Sequence, residues 1–157
     1  MAITIKNERE IERMRAAGHV VSLVHRQIEA AITPGVTPLD LDAIARDTIR
    51  EHGATSNFYG HHGFPGYICA SVNDQIVHGI PTKRVLREGD IISVDVGAIV
   101  DGYHGDSAWT YAVGAITPEI EQLLRDTEAA LYIGIQRAVK GNRLGAVGAA
   151  IEAYGVE

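Results

Sequence analysis

The stretch DIISVDVGAIV (residues 90–100), DG (101–102) and YHGDSAWTYAV (103–113) decides the fold. Two β-rich runs flank an Asp-Gly pair, a strong short-range hairpin signal. A two-residue turn at Asp101-Gly102 sets Val100 against Tyr103 and Asp95 against Ala108. Asp106 then lies two residues from Ala108, on the same face as Asp95. The two carboxylates form a diagonal cross-strand pair, roughly 7 Å apart or somewhat less at Cβ. Register is decisive here, because a three-residue loop would place them on opposite faces. Ionised side by side among Ile91, Ile92, Val94 and Val96, they repel each other and lose solvation. A divalent cation between them would remove both penalties, since oxygen ligands suit hard or borderline cations. The pattern alone leaves two readings open: solvated strand aspartates, or metal ligands. Asp95 interrupts a nearly continuous apolar run, where a solvated Asp is out of place.

Upstream of the hairpin the chain reads as helix. Asn7 and Glu10 make a cap-like pair, followed by Ile11, Met14, Val21, Val24 and Ile28 at helical spacing. Thr33-Pro34-Gly35 ends that helix. Thr37 caps a second, with Pro38 at its first position and Leu41, Ile44, Ala45, Thr48 and Ile49 as its stripe. His52-Gly53 closes it. Residues 54–65, rich in Gly and His, read as loop. Tyr67 to Val72 is a short β run ended by the turn Asn73-Asp74, and Gln75 to His78 is a second strand candidate. Downstream, Thr117-Pro118 opens a third helix that runs to Gly141. A short helical segment follows from about Leu144 to Tyr154. The order implies an α+β fold, with helices covering one face of a mainly antiparallel sheet. At 157 residues, with no linker and no repeat, residues 1–157 read as a single domain.

Composition excludes several classes. Hydrophobic residues at 46% and charged residues at 22% rule out a disordered chain. A net charge of −6 with no basic cluster gives no footprint for nucleic acid or an anionic membrane. No run of 18 apolar residues exists, and Met1-Ala2-Ile3-Thr4-Ile5-Lys6 has no signal-type apolar core. The one cysteine, Cys69, cannot form an internal disulfide, so a cytoplasmic location is expected.

Several motifs together carry a resemblance. Asp95-Val96-Gly97-Ala98 and Asp101-Gly102-Tyr103-His104-Gly105-Asp106-Ser107 closely resemble the metal-binding hairpin of bacterial type I methionine aminopeptidases. Ser71-Val72-Asn73-Asp74 and Val77-His78-Gly79-Ile80-Pro81 resemble that family's substrate-side motif, and Gly60-His61-His62-Gly63-Phe64-Pro65 its glycine-rich aromatic loop. The opening from Ile5-Lys6 to Met14-Arg15-Ala16-Ala17-Gly18 is also family-like. The resemblance runs through nearly the whole chain in order, so it is far more specific than any one short motif. It implies the pita-bread (creatinase/aminopeptidase) fold: two α/β halves about a pseudo-twofold axis, with a two-metal centre between them. Asp95 and Asp106 match the first two metal-ligating carboxylates. His78 matches the histidine that contacts substrate and aids proton transfer. Phe58, His61, Phe64 and Cys69 fall where the methionine side-chain pocket is built; at position 61 many members carry an aromatic residue.

Taken singly, these residues have plainer readings. His19 and His25 are ordinary helix histidines, at the surface or satisfied in the core. His61-His62 is a polar loop, Cys69 a small buried apolar residue, and Trp109 a packing residue.

The family's remaining donors are expected downstream: a Gly-His-Gly histidine, a second histidine and two glutamates. The last histidine here is His104, so the chain resembles only the N-terminal half of the fold. The resemblance implies removal of N-terminal Met from peptides by divalent metal ions, two per complete site, with Co, Mn, Fe, Zn and Mg not distinguished by two carboxylates. This chain alone is expected to show little or no activity. The alternative is a non-catalytic, self-associating half-fold, whose homodimer would restore burial and gather four carboxylates about a twofold axis. Creatinase- or prolidase-like relatives share the fold, but the loop motifs favour methionine aminopeptidase.

Overall fold

The computed structural model describes residues 3–156. The sequence readings at Met1, Ala2 and Glu157 lie outside the described residues. The chain divides into two compact units, the first ending at Ala115 and the second beginning at Ile116.

The first unit opens with α1 (Glu8–Ala31) and α2 (Pro38–Glu51). Both begin where the side-chain chemistry dictates. Asn7 Oδ1 accepts from the Glu10 amide at 3.1 Å while Glu10 Oε2 accepts from the Asn7 amide at 2.8 Å. Thr37 and Asp40 make the same reciprocal pair, with Pro38 in the first turn. Each capping box satisfies two amides that a helix start leaves without partners.

The sheet contains β1 (Thr55–Ser56), β2 (Ile68–Val72), β3 (Ile91–Val100) and β4 (Tyr103–Ala112), all antiparallel neighbours of β3. β4 pairs along the full length of β3, so β1 and β2 share its other edge, β1 against Ile99 and Ala98 and β2 against Val96 to Ile92. Alternation along β3 sorts the two faces. Ile92, Val94, Val96 and Ala98 are fully buried in one core with Val24, Ile28, Leu41, Ala45 and Ile49 of the two helices. Asp95 and its same-face neighbours point the other way.

β4 is held against α1 by close approach and by hydrogen bonds. A Cβ on Gly105 would lie 2.5–2.7 Å from backbone atoms of Gly18 and Ala17. His25 of α1 spans to the same strand: its Nε2 lies 3.0 Å from the Ser107 carbonyl and its Nδ1 2.9 Å from the Tyr111 hydroxyl. The carbonyl can only accept, so Nε2 carries the proton and Nδ1 accepts from Tyr111. Burial lowers the pKa of His25, against opposing contributions from the Ser107 carbonyl and Glu29.

Gln75 to His78 is not a strand. Asn73 and His78 both take positive φ, 55° and 58°, which breaks the extended run. Ile76 and Val77 are 88% and 64% exposed, so no core rewards alternation there. The loop over residues 54–65 contains β1 and a short 3-10 turn, His61–Gly63.

The second unit comprises α3 (Pro118–Arg137), capped by Thr117, and α4 (Gly145–Gly155). The two pack where Gly134 of α3 lets Ile151 approach, and Tyr154 donates to Asp126 at 3.2 Å. No helix of the described residues is long and apolar enough to cross a membrane.

Two outcomes follow for stability. Gly105→Ala forces α1 and β4 apart and should cost about 1–3 kcal/mol in urea unfolding, as overpacking does. Burial holds the pKa of His25 below its ordinary value of about 6.5 in the fold, so stability falls as pH drops through that value. His25→Gln should flatten that slope below about pH 6.5 in pH-dependent unfolding.

Candidate functional site

The site begins with a turn. Asp101 at φ 49° and Gly102 at φ 79° close the hairpin in two residues, the positive-φ geometry whose twist matches paired strands. The register is Val100 to Tyr103, Asp95 to Ala108 and Gly97 to Asp106. Asp95 and Asp106 therefore share one face, the face turned away from the helices, as the turn chemistry dictates.

Their surroundings differ. Asp106 is exposed, whereas Asp95 is partly buried and its Oδ1, closed to solvent, has no hydrogen-bond partner. Burial raises the pKa of Asp95, and the neighbouring Asp106 raises it further; His78 and the Val96 amide oppose the shift. Cys69 stands directly opposite Asp95 in the β2–β3 register. Burial, then Asp95 and Asp106, push its thiol up to about 11. Cys69 is therefore a neutral thiol at pH 7 in the metal-free protein. His78 sits on an exposed turn within electrostatic reach of Asp95.

Asp95, Asp106, Cys69 and His78 thus form one electrostatic group. The aromatic residues of the loop form contacts of their own. Phe58 and Phe64 meet edge to face, with centroids 6.5 Å apart. His61 is exposed, its ring 4.3 Å from that of His62. Ser93 and Thr110, joined by a 2.8 Å hydroxyl contact, extend the polar strip on the carboxylate face.

Among the described residues no group of three or more His, Cys, Asp or Glu side chains is placed to hold a metal ion. The carboxylate pair, with a buried oxygen lacking a partner, fits part of an oxygen donor set for a divalent cation and not a whole one. Sequence reasoning missed Asn57, whose side chain lies over Gly97 on this face. An Asn beside Phe58 in a loop carries no signal of that placement.

The pattern of metallopeptidase family M24 matches residues 12–157. The chain belongs to metallopeptidase family M24. It is 49% identical over 152 residues to methionine aminopeptidase 1 of Bacillus subtilis (strain 168), covering 97% of this chain and 61% of that protein. The crystal structure of methionine aminopeptidase from Rickettsia prowazekii superposes with a TM-score of 0.95 at 35% identity, covering 99% of this chain and 62% of that one. Methionine aminopeptidase from Thermotoga maritima gives 0.93 at 38%, covering 98% and 62%. The M24 chain therefore has the α+β architecture of part of the pita-bread fold, and it spans about 61% of the length of the curated relatives it matches.

The raised pKa of Asp95 has a stability consequence. Its folded value lies above the unfolded value of about 3.9, so the fold loses stability as pH rises through that window, and the deficit persists at pH 7. Asp95→Asn should therefore raise the unfolding free energy of the metal-free protein at pH 7, with the gain vanishing below about pH 4. Chemical denaturation at the two pH values checks this.

Proposed function

We propose that this chain carries the carboxylate part of a metallo-aminopeptidase site that removes N-terminal Met from peptides. The reading is supported by the similarity to methionine aminopeptidases and, above all, by one observation: Asp95 and Asp106 share a sheet face with His78 and Cys69 beside them. In this reading Asp95 and Asp106 hold a divalent cation of unspecified identity, and donors from outside these residues complete its shell. A cation bound there would supply Lewis acidity toward a peptide carbonyl and would acidify water. His78, on the exposed turn beside Asp95, contacts the substrate and holds or passes a proton. Phe58, Phe64 and Cys69 present an apolar pocket wall to the methionine side chain, with His61 at its rim. Cys69 serves there as an uncharged thiol, because burial and two carboxylates oppose its ionisation.

A second reading is favoured by the donor count. With fewer than three donors grouped among the described residues, a second copy of this chain could supply the rest across a twofold axis. The chain is then a self-associating module that gathers two Asp95 and two Asp106 side chains.

Release of Met from Met-Ala-Ser with added Mn²⁺, followed alongside light scattering, tests both readings. The first expects no release above the metal-free blank by the 157-residue chain alone, and an unchanged monomer mass. The second expects mass doubling with Mn²⁺, lost in Asp106→Asn. Turnover by a monomer would contradict both.

A further inference from the structure

Among the described residues, two buried side-chain oxygens lack a hydrogen-bond partner, Asp95 Oδ1 and Asn57 Oδ1. They lie on the same sheet face. The Asn57 amide donates to the Gly97 carbonyl at 3.2 Å, which sets Asn57 beside Gly97 just beyond β1. Its side chain then folds over that glycine: Nδ2, Cβ and Cγ lie 2.7–2.8 Å from where a Gly97 Cβ would be. Any larger residue at position 97 would evict it. Gly97 is two residues from Asp95, hence on its face, and stands opposite Asp106 in register. Asn57 Nδ2 donates across β3 to the Gly105 carbonyl at 3.5 Å, one residue before Asp106. This bond orients the amide and leaves Oδ1 as an acceptor with no protein partner, on a side chain seated over Gly97.

We propose that Asn57 is a positioning residue of the carboxylate site, its Oδ1 accepting a hydrogen bond from a water bound to the divalent cation held by Asp95 and Asp106. The inference rests on the cation reading of that pair. An acceptor with no protein donor is a liability in the empty fold and becomes satisfied when a hydrated cation brings O–H groups to it. Asn57 thereby has opposite effects on the two states: it weakens the metal-free fold and strengthens metal binding.

The test is isothermal titration with Mn²⁺, paired with metal-free thermal melts, of the parent, Asn57→Leu, Asn57→Asp and Asp95→Asn. Asn57→Leu fills the same space without a polar atom. It should lose affinity on the order of tenfold, as removal of outer-shell partners does, with a melting temperature equal to or above the parent's. Asn57→Asp keeps the oxygen and should bind at least as tightly as the parent. Parental affinity in Asn57→Leu, with binding abolished in Asp95→Asn, overturns the inference and leaves the cation reading standing. A lower melting temperature in Asn57→Leu with no recovery of affinity in Asn57→Asp also overturns it, because Asn57 would then be merely structural. No binding by the parent overturns the cation reading and the inference together.

Discussion

The two-residue turn at Asp101 and Gly102 constrains the register of β3 against β4, and the shared face of Asp95 and Asp106 depends on that register. A slip of one residue would exchange the faces of β4. Asp106 would then point toward α1, at the place where Gly105 now lets the helix backbone approach. There is no room for a side chain at that contact. The close packing of α1 on Gly105 and the hydrogen bonds of His25 to Ser107 and Tyr111 therefore reinforce the register set by the turn. Turn chemistry, helix packing and a half-buried histidine all favour the same alignment of two carboxylates.

β3 has two very different faces. Ile92, Val94, Val96 and Ala98 are sealed against the helices. The opposite face presents Asp95, with an oxygen that has no partner, and Gly97, over which Asn57 lies. The apolar face stabilises the sheet enough to tolerate a strained arrangement of charges on the other. Departures from ideal satisfaction of polar groups concentrate at functional sites, where a ligand supplies the missing interactions. The neutral thiol of Cys69 fits this picture, since a third negative charge there would compound the repulsion between Asp95 and Asp106.

Much of this was legible in the sequence, for identifiable reasons. Asn7 with Glu10, and Thr37 followed by Pro38, are signals contained within a few residues, so the helix starts could be read directly. The Asp-Gly pair made the hairpin register, and with it the shared face of Asp95 and Asp106, a matter of counting. The run from Gln75 to His78 misled because Ile76 and Val77 look like strand residues, whereas positive φ at Asn73 and His78 turns the chain away from the sheet. The role of Asn57 was not legible at all. It depends on a glycine 40 positions later leaving space above the sheet, and on a carbonyl one strand further on. His25 was equally hidden, since its partners Ser107 and Tyr111 are more than 80 residues away. Local chemistry is written locally; tertiary satisfaction of polar groups is not.

The central claim is that Asp95 is destabilised by burial and by the neighbouring Asp106, and that a divalent cation held by the two relieves it. Thermal melting at pH 7, with and without Mn²⁺, for the parent and for Asp95→Asn, tests it most directly. A ligand that binds only the native state raises the melting temperature as its concentration rises. The account predicts that Asp95→Asn melts above the parent without metal, and that Mn²⁺ raises the parent alone and closes the gap. A parent unmoved by Mn²⁺, or an equal rise in both proteins, would contradict it.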